Sequence, residues 1–483
     1  MRIRCLEFSE RAKGALRDEM LQQNLQRIGV RFKTARDLAF AALEDPESLR
    51  EMGRALKEKA IANLPLLLET LEMRVKEAGG VVHWACTSKE ARNIVCEIAR
   101  TKGVRTVVKG KSMVTEEISL NEALQAQGIE VWETDLGEFI IQLAGEPPSH
   151  IIGPAVHKSK EQIADLFAQK LGVPKAEAPE ELTRIAREKL REKFLNADMG
   201  VTGANAAVAE TGSILLLENE GNIRMSVTMP RILVTVMGIE KVIATLDDLA
   251  VILALLPRSA TGQKLSAYST IFTGPRAPGE LDGPEEFHLV LLDNGRTRIL
   301  ADPDRRQSLF CLRCGSCLNV CPVYRKVGGH AYGWVYSGPI GAVLTPQLIP
   351  PRLARELPFA STLCGACAEV CPVKIDLPKL LLIMRQRLSE DPNFDGGVPL
   401  LPRLASRAHG WILTRPRLYR LAARGARLWS KALTEEGRWK WLPPPVGRWG
   451  KMRDVPAMQV PFSERWKKLK KELLGGVANE PTG

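Results

Sequence analysis

The chain has 483 residues, is 45% hydrophobic, and carries 68 Lys and Arg against 56 Asp and Glu, for a net charge of +12. This length predicts two or three domains, each able to bury its own core. The charged first ten residues argue against a secretory signal peptide, and the longest clean apolar run, 249–256, is too short to span a bilayer.

The sequence predicts N-terminal helices followed by an α/β domain. Residues 1–61 are assigned to helices because apolar side chains such as Leu21, Leu25 and Ile28 recur at helical spacing. In residues 62–295, short apolar strands alternate with helices, which is typical of an α/β layer with a largely parallel sheet. Strands are predicted at 81–85, 106–108, 129–131, 214–217, 232–236 and 288–292, and helices at 88–101, 158–171 and 177–195.

Two segments of this domain are candidates for a ligand site. Residues 200–213 are rich in Gly and Ala, which lets backbone N–H groups approach a ligand, and Glu210 precedes a tight turn into a strand. A Gly/Ala-rich helix packed on the sheet explains this composition equally well. Residues 109–112 fit either an anion site at a helix N-terminus or a solvated basic loop. Further candidate acid–base groups, which no triad or metal-ligand spacing connects, are His150, His157 and Lys158.

Seven of the ten cysteines fall in two short motifs that predict iron–sulfur chemistry. The motifs are Cys311, Cys314, Cys317 and Cys321, followed by Pro322, and Cys364, Cys367 and Cys371, followed by Pro372. The first spacing is that of bacterial ferredoxins, in which three thiolates bind one cubane and the fourth binds a second cubane. This crossover assigns the first three cysteines and Cys371 to one [4Fe-4S] cluster, and Cys321, Cys364 and Cys367 to another. Ser361, three residues before Cys364, stands where a fourth ligand of the second cluster is expected.

Zinc and disulfides are the alternatives to iron–sulfur clusters. Structural zinc sites with four cysteines usually contain two separated C-x2-C pairs, whereas here four cysteines lie within eleven residues. Disulfide frameworks are typical of much smaller secreted chains. Cys5, Cys86 and Cys96 are outside any ligand spacing, and the last two lie in apolar sequence typical of small core residues. Reduced thiolates and assembled clusters predict a cytoplasmic location.

The cluster domain is predicted over residues 296–392 and ends in a helix that Asp376 caps, with Pro378 in its first turn. The remaining residues, 393–483, form a basic extension. Between 399 and 471 the chain carries 18 Lys and Arg against 4 Asp and Glu, together with six of the nine tryptophans. A charge run is usually a solvated face, but tryptophans beside basic residues also suit a protein interface or an anionic membrane surface. No nucleic-acid-binding fold is recognisable, so nucleic acid is not a predicted partner.

These motifs together resemble the L-lactate utilization protein B family over roughly residues 20–475. The segments similar to its LUD domain are 109–117, 133–138, 200–213 and 258–263, and the cysteine motifs joined by 336–346 are similar to its ferredoxin-type extension. The resemblance implies a CoA-transferase-like α/β LUD domain followed by an α-helical two-cluster domain. It also implies two [4Fe-4S] clusters, the second with three cysteine ligands, so that Ser361 fits the family pattern.

The sequence therefore predicts an electron-transfer subunit of a complex that oxidises L-lactate to pyruvate, rather than the isolated catalyst. The resemblance implies two partners, a CCG-type iron–sulfur protein and a stand-alone LUD protein. An electron relay needs a dock for its redox partner, so the basic extension is predicted to bind a partner rather than a membrane. One alternative is a relay in another heterodisulfide- or quinone-linked complex. The other is a CoA- or ligand-binding acyl-transfer or sensor protein in which Glu210 is the active group and the clusters are structural.

Overall fold

The computed structural model describes residues 3–390, 394, 400–435, 438–439 and 455–475. They belong to two compact units, residues 1–397 and residues 398–483. Within the described ranges, no helix combines the length and the apolar character that a membrane crossing requires.

Two β-sheets form the α/β part of the larger unit. Their strands are β1 (Val81–Ala85), β2 (Thr106–Lys109), β3 (Glu130–Glu133), β4 (Met199–Thr202), β5 (Ala206–Val208), β6 (Ser213–Glu218), β7 (Ile232–Gly238), β8 (Val242–Ile243), β9 (Tyr268–Phe272) and β10 (Glu286–Leu292). The larger sheet has the order β1-β10-β7-β4-β2-β3, and all its neighbouring pairs are parallel. The smaller sheet, β8-β5-β6-β9, is mixed. Both β4 and β7 are buried throughout, as expected when helices cover a parallel sheet. The predicted α/β class with a largely parallel sheet is confirmed.

Helices precede, connect and follow these strands. They are α1 (Phe8–Arg17), α2 (Glu19–Ala41), α3 (Pro46–Ala62), α4 (Leu64–Glu77), α5 (Ser88–Thr101), α6 (Met113–Glu117), α7 (Leu120–Gln125), α8 (Leu136–Ala144), α9 (Lys160–Leu171), α10 (Pro179–Leu195), α11 (Asn222–Thr228), α12 (Leu246–Ala260), α13 (Arg296–Leu300), α14 (Ser316–Val320), α15 (Tyr324–Val327), α16 (Gly338–Leu348), α17 (Ala366–Glu369) and α18 (Leu377–Glu390). The cysteine-rich region that follows β10 is therefore helical, as predicted. The side chain of Asp376 caps α18 by accepting the backbone N–H of Lys379 at 3.0 Å.

The strand order opens a crevice beyond the carboxyl ends of β2 and β4. From β2 the chain continues to β3 at the sheet edge, whereas from β4 it leads through the smaller sheet to β7 on the opposite side. Neighbouring parallel strands whose connections leave in opposite directions form such a crevice, which is the usual ligand site of open α/β sheets.

The N-terminal helices pack against the second cysteine motif. Arg36 of α2 donates to the carbonyl oxygen of Val370 at 3.0 Å, and Arg50 of α3 donates to that of Cys371 at 3.1 Å. These helices, both sheets and the cysteine motifs lie in the same compact unit. The division of the chain into four domains at 61, 295 and 392 stays a prediction.

The structure corrects three details of the sequence analysis. Residues 200–213 are not a Gly/Ala-rich helix but continue from β4 into β5 and the turn before β6. The strand predicted at 214–217 belongs to the smaller sheet, where it pairs antiparallel with β5 and β9. Cys86 is exposed and not a core residue, because it stands in the turn between β1 and α5, whereas Cys96 is buried.

The smaller unit contains the basic extension. Its described elements are α19 (Leu400–Leu413), α20 (Pro416–Leu433), the short strands β11 (Thr434–Glu435) and β12 (Arg438–Trp439), and a last helix, Phe462–Gly475. An ion pair between Arg424 and Glu464, at 3.0 Å, links α20 to the last helix. Trp411, Trp429 and Trp466 are exposed, whereas Trp441 and Trp449 lie outside the described residues.

Candidate functional site

Four cysteines surround one small cavity in the larger unit. The cavity, of about 20 Å³, is lined by Cys311, Cys314, Cys317 and Cys371, and its other walls are largely apolar. Burial, together with the neighbouring thiols of Cys314 and Cys311, raises the pKa of the Cys371 thiol to about 12. The first cysteine group therefore lines a single small cavity with largely apolar walls.

Three cysteines form a second group beside the first. Burial, together with the nearby thiols of Cys321 and Cys364, raises the pKa of the Cys367 thiol to about 12. Cys364 is exposed, and its pKa is lowered, first by a hydrogen bond from the Thr362 side chain. Helix α14, which contains Cys317, packs against α17, which contains Cys367, so the two groups adjoin. The structure thus brings the seven cysteines together as two adjoining groups, and their assignment to two clusters stays a prediction.

The two motifs share one loop conformation. In each, the residue before the motif's C-G-x-C segment and the glycine inside that segment adopt left-handed backbone angles. The residues are Arg313 (φ 62°) and Gly315 (φ 76°) in the first motif, and Leu363 (φ 56°) and Gly365 (φ 88°) in the second. A non-glycine residue in this region costs about 1 kcal/mol or more and persists only where the surroundings impose it.

This shared loop gives Ser361 a defined place. In the first motif the backbone N–H of Arg313 donates to the Sγ of Cys311 at 3.4 Å. In the second, the backbone N–H of Leu363 donates to the Oγ of Ser361 at 3.1 Å. The serine oxygen therefore occupies the position in the second loop that the cysteine sulfur occupies in the first.

Backbone N–H groups also reach the cysteines that precede the prolines. Tyr324 donates to the Sγ of Cys321 at 3.4 Å, and Ile375 donates to the Sγ of Cys371 at 3.3 Å. Such hydrogen bonds stabilise negative charge on sulfur, which is one means of setting the reduction potential of an iron–sulfur cluster. Thiol ligands, largely apolar walls and N–H groups directed at sulfur are features of iron–sulfur sites. Together with the grouping of Cys371 with the first motif, they fit two iron–sulfur clusters.

A buried ion network lies between the sheet and the first cysteine loop. Arg296 of α13 is bound to Glu117 at 2.9 Å and to Glu240 at 2.6 Å, and the hydroxyl of Tyr336 donates to Glu117. Burial opposes ionisation of Glu240, but Arg296 and Arg313 hold its pKa at about 2. Glu117 and Glu240 are therefore both paired with arginine side chains.

Cations lie in and next to the same loop, and one of them, Lys241, binds its backbone. The guanidinium of Arg313 stacks on the ring of Tyr336 at 4.5 Å, and its Nη2 lies 3.6 Å from Oε1 of Glu240. The Nζ of Lys241 donates to the carbonyl oxygen of Cys311 at 3.3 Å, and the Nζ of Lys57 donates to that of Glu240 at 2.6 Å. Positive charge next to a thiolate-bound cluster offsets the negative charge of the cluster.

A larger polar cavity, of about 270 Å³, adjoins this loop. It occupies the crevice beyond β2 and β4, and its charged lining residues include Lys111, Glu218, Glu220, Lys241 and Arg313. Leu312, Arg313 and Ile151 line both cavities. The polar cavity is therefore separated from the first cysteine group by a single layer of residues.

The structure shows which residues of the two candidate segments of the α/β domain reach the polar cavity. Glu210 is exposed, does not line the polar cavity, and accepts the backbone N–H of Leu246 at the start of α12, at 3.1 Å. Lys109 is not part of a solvated basic loop, because it is buried and bound to Glu133 at 2.8 Å and to Glu116 at 3.1 Å. Lys111 is the residue of this segment that reaches the cavity.

The histidines predicted as acid–base groups make structural contacts. The Nε2 of His150 is 3.0 Å from the Oδ1 of Asn319 in α14, and burial lowers the pKa of this histidine to about 4. His150 is therefore neutral and braces the first cysteine loop. His157 lies 2.6 Å from Glu146, and burial, with His330 nearby, likewise lowers its pKa to about 4. Lys158 pairs with the same carboxylate at 2.7 Å.

Sequence reasoning missed the cations around the cysteines. Arg313 could have been found, because it is a cation inside a C-x2-C segment. Arg36, Arg50 and Lys241 are far from the motifs in sequence, and nothing in their local pattern distinguishes them from surface residues.

Comparison with known proteins identifies both a LUD domain and a 4Fe-4S dicluster domain in this chain. The family model of the LUD domain matches residues 68–292, and that of the 4Fe-4S dicluster domain matches residues 307–375. Lactate utilization protein B of Bacillus licheniformis is 46% identical, over 95% of this chain and 95% of the relative. The protein of the same name from Anoxybacillus flavithermus is 45% identical, over 97% and 98%. That from Bacillus subtilis is 44% identical, over 95% and 95%.

Proposed function

This chain belongs to the lactate utilization protein B family, and on that premise we propose that it is an iron–sulfur electron-transfer subunit of a complex that oxidises L-lactate to pyruvate. The observation that carries the proposal is the gathering of seven cysteines into a dry group of four and an adjoining group of three. Its partners would be a CCG-type iron–sulfur protein and a stand-alone LUD protein. Its location would be cytoplasmic.

The two cysteine groups would supply the ligands of the two proposed clusters. Cys311, Cys314, Cys317 and Cys371 would hold one [4Fe-4S] cluster, and the second group would hold the other through three thiolates. When bound, such clusters accept and release single electrons. The chain contributes apolar walls that exclude water, N–H groups directed at sulfur, and cations behind the first loop. The packing of α14 against α17 keeps the two sites adjacent.

The proposal is tested by assembling the chain anaerobically with its two proposed partners and measuring dye reduction. We expect L-lactate to support reduction only when all three proteins are present. Reduction that proceeds equally without this chain contradicts the proposal. A relay in a different redox complex predicts no response to L-lactate but reduction from another donor. No observation favours acyl transfer by Glu210, which does not line the polar cavity.

The second cluster is expected to have one labile iron. Three thiolates leave one iron of a cubane with a weaker ligand, and the Oγ of Ser361 stands at the matching position. Mild oxidation of the wild-type protein should therefore yield a [3Fe-4S] signal in electron paramagnetic resonance (EPR) spectra. Ser361→Cys should suppress this signal, because it restores the ligand that Cys311 supplies in the first loop.

The control for this experiment is Ser361→Ala, which removes the oxygen without adding sulfur and should convert at least as readily as the wild type. If oxidised wild-type protein gives no [3Fe-4S] signal and Ser361→Cys changes nothing, the second cluster has a fourth strong ligand elsewhere.

The basic extension is expected to dock a redox partner. The exposed surface of α20 carries Arg417, Arg420 and Arg424, and Trp411 and Trp429 are exposed in the same unit. Truncation after Asp391 should leave the iron content unchanged but weaken complex assembly, and added salt should weaken assembly of the full chain in the same way. Co-sedimentation of the complex measures the effect. Unchanged assembly with lost binding to anionic vesicles would instead identify a membrane surface.

A further inference from the structure

We propose that the 270 Å³ cavity beside the first cysteine group binds a small carboxylate with an oxygen on its second carbon, that is, a 2-hydroxy or 2-oxo acid. The choice of L-lactate and pyruvate as probes rests on the proposed function. The inference that a carboxylate binds rests on the cavity itself. An experiment can therefore contradict this inference without contradicting the proposed function, and the reverse.

The position of the cavity favours a small ligand. Lys111 follows β2, Gly203 follows β4 and Lys241 follows β7, and all three line the cavity. Because β4 lies between β2 and β7, and neighbouring strands are about 4.8 Å apart, the two lysines arise from strands roughly 10 Å apart. A Cβ atom on Gly203 would lie 2.6 Å from the Oγ and 3.2 Å from the Cβ of Ser112, so the floor between the lysines is crowded. The distance suits an acid of a few carbon atoms.

Among the described residues, the two lysines in this cavity lack carboxylate partners, and Arg313, which pairs with Glu240 through Nη2, keeps one nitrogen unsatisfied. The Nζ of Lys111 donates to the carbonyl oxygen of Ile152, and that of Lys241 donates to the carbonyl oxygen of Cys311 at 3.3 Å. Across the described part of the chain, neither lysine forms an ion pair, and the buried Nη1 of Arg313 has no hydrogen-bond partner. Cations that are withdrawn from water are usually paired with an anion. A bound carboxylate would supply that anion.

The acidic residues of the lining form no ion pair with Lys111 or Lys241: Asp135 accepts the backbone N–H of Glu138 at 3.1 Å, and Glu240 lies 3.6 Å from Arg313. Both oxygens of Glu218 accept backbone N–H groups at the start of α11, at 2.8 and 2.7 Å, and Glu240 is bound to Arg296. Glu220 uses Oε2 to accept the backbone N–H of Leu136 at 3.0 Å. Burial, with Asp135 nearby, raises the pKa of Glu220 to about 7, so its other oxygen can accept a hydrogen bond from a 2-hydroxyl group when ionised and donate one to a 2-oxo group when protonated. The cavity therefore offers cationic donors for a carboxylate and an acceptor for the neighbouring hydroxyl.

The same cavity is close enough to sense the first cluster. Leu312 and Arg313 separate it from the first cysteine group and line both cavities. An anion bound there opposes the addition of an electron to a cluster held by Cys311, since like charges repel across a short, dry distance. Binding should therefore shift the reduction potential of the first cluster to more negative values and leave that of the second less affected.

Calorimetric titration of the full-length, cluster-loaded chain under anaerobic conditions tests the proposal. We expect L-lactate and pyruvate to bind at one site per chain, propionate to bind more weakly because it lacks the second-carbon oxygen, and the neutral lactamide to bind at least about tenfold more weakly than L-lactate. Lys111→Met should weaken L-lactate binding by at least about tenfold. Lys89→Met, an exposed lysine in α5 outside the lining, should bind like the wild type. Iron content and circular dichroism verify that both variants are folded and loaded.

Lys111 is the informative residue because it does not contact the cysteine loop. If the cations only balance the charge of the cluster, Lys111→Met will bind L-lactate like the wild type, or lactamide will bind as tightly as L-lactate, and either result overturns the proposal. Absence of binding by any of these acids also overturns it. A negative shift of the first cluster's EPR-monitored potential on saturation with pyruvate supports it, and an unchanged potential overturns the coupling to the cluster.

The outcomes also separate this site from the proposed function. If the isolated chain binds the acids but the assembled complex shows no lactate-dependent dye reduction, the site stands and the proposed function fails. If the complex responds to L-lactate while the isolated chain binds no acid, the function stands and the site is overturned.

Discussion

Cys314→Ala is expected to abolish the [4Fe-4S] signal of the first cluster and to leave that of the second. Cys314 is buried and lines the small cavity with three other cysteines, so its loss removes one of the four thiolates of this group. Cys321→Ala should do the reverse, although both cysteines belong to the same sequence motif, because the thiol of Cys321 lies beside that of Cys364. Iron content should fall from about eight per chain toward about four in either variant.

EPR spectra of the reduced proteins distinguish the two losses, and acid-labile sulfide should fall in parallel with iron. Cys86→Ala is the matched control, because Cys86 is exposed and lies outside both groups. Two results would contradict the assignment: loss of the same EPR signal in both variants, or stoichiometric zinc without sulfide in the wild-type protein.

Cys311→Ser provides a further comparison, because it gives the first loop the same ligand pattern as the second. The backbone N–H of Arg313 reaches position 311 as that of Leu363 reaches Ser361. We therefore expect Cys311→Ser to retain a cluster that converts readily to [3Fe-4S], rather than to lose it entirely.

Helices and strands that are determined by their own residues could be predicted from local patterns in the sequence. The strand predicted at 81–85 and the helix predicted at 88–101 have the same bounds in the structure. Apolar runs of strand length and amphipathic runs of helix length contain this information in themselves. The grouping of the cysteines could be predicted for a similar reason, since thiolate spacing along a short loop restricts which irons the loop can reach.

The smaller sheet could not be predicted because its strands depend on distant partners. Ala206–Val208 and Val242–Ile243 are too short to give a periodic signal, and they pair with each other across more than thirty intervening residues. Tyr268–Phe272 is largely exposed, and its pairing with Ser213–Glu218 identifies it as a strand. Such short strands are stabilised by tertiary pairing rather than by their own composition.

The polar cavity was equally beyond sequence reasoning. Lys111, Lys241 and Arg313 come from two strand ends and a cysteine loop, so only the parallel sheet and its neighbouring loop bring them together. Segment 109–112 was identified as a candidate anion site, but composition alone could not show that Lys109 turns into a buried ion pair while Lys111 faces the cavity.

Arg296→Met is expected to destabilise the protein by roughly 3–5 kcal/mol, the usual cost of removing one partner from a buried ion network. Arg296 is almost fully buried and compensates both Glu117 and Glu240, which belong to the α/β domain. Without Arg296, Glu117 and Glu240 stay buried with less positive charge to compensate them. Tyr336, which binds Glu117, and Arg313 of the first cysteine loop, which pairs with Glu240, then lose part of their support.

The measurement is urea unfolding under anaerobic conditions, followed by circular dichroism and by the visible absorbance of the clusters. The midpoint of Arg296→Met should fall, and absorbance of the first cluster should be lost at lower urea than in the wild type, because the network adjoins its loop. Arg298→Met is the control, since Arg298 is exposed on the same helix two residues further on, and such surface changes are usually within about 0.5 kcal/mol. Equal midpoints for the two variants would show that the network contributes little to the stability of this fold.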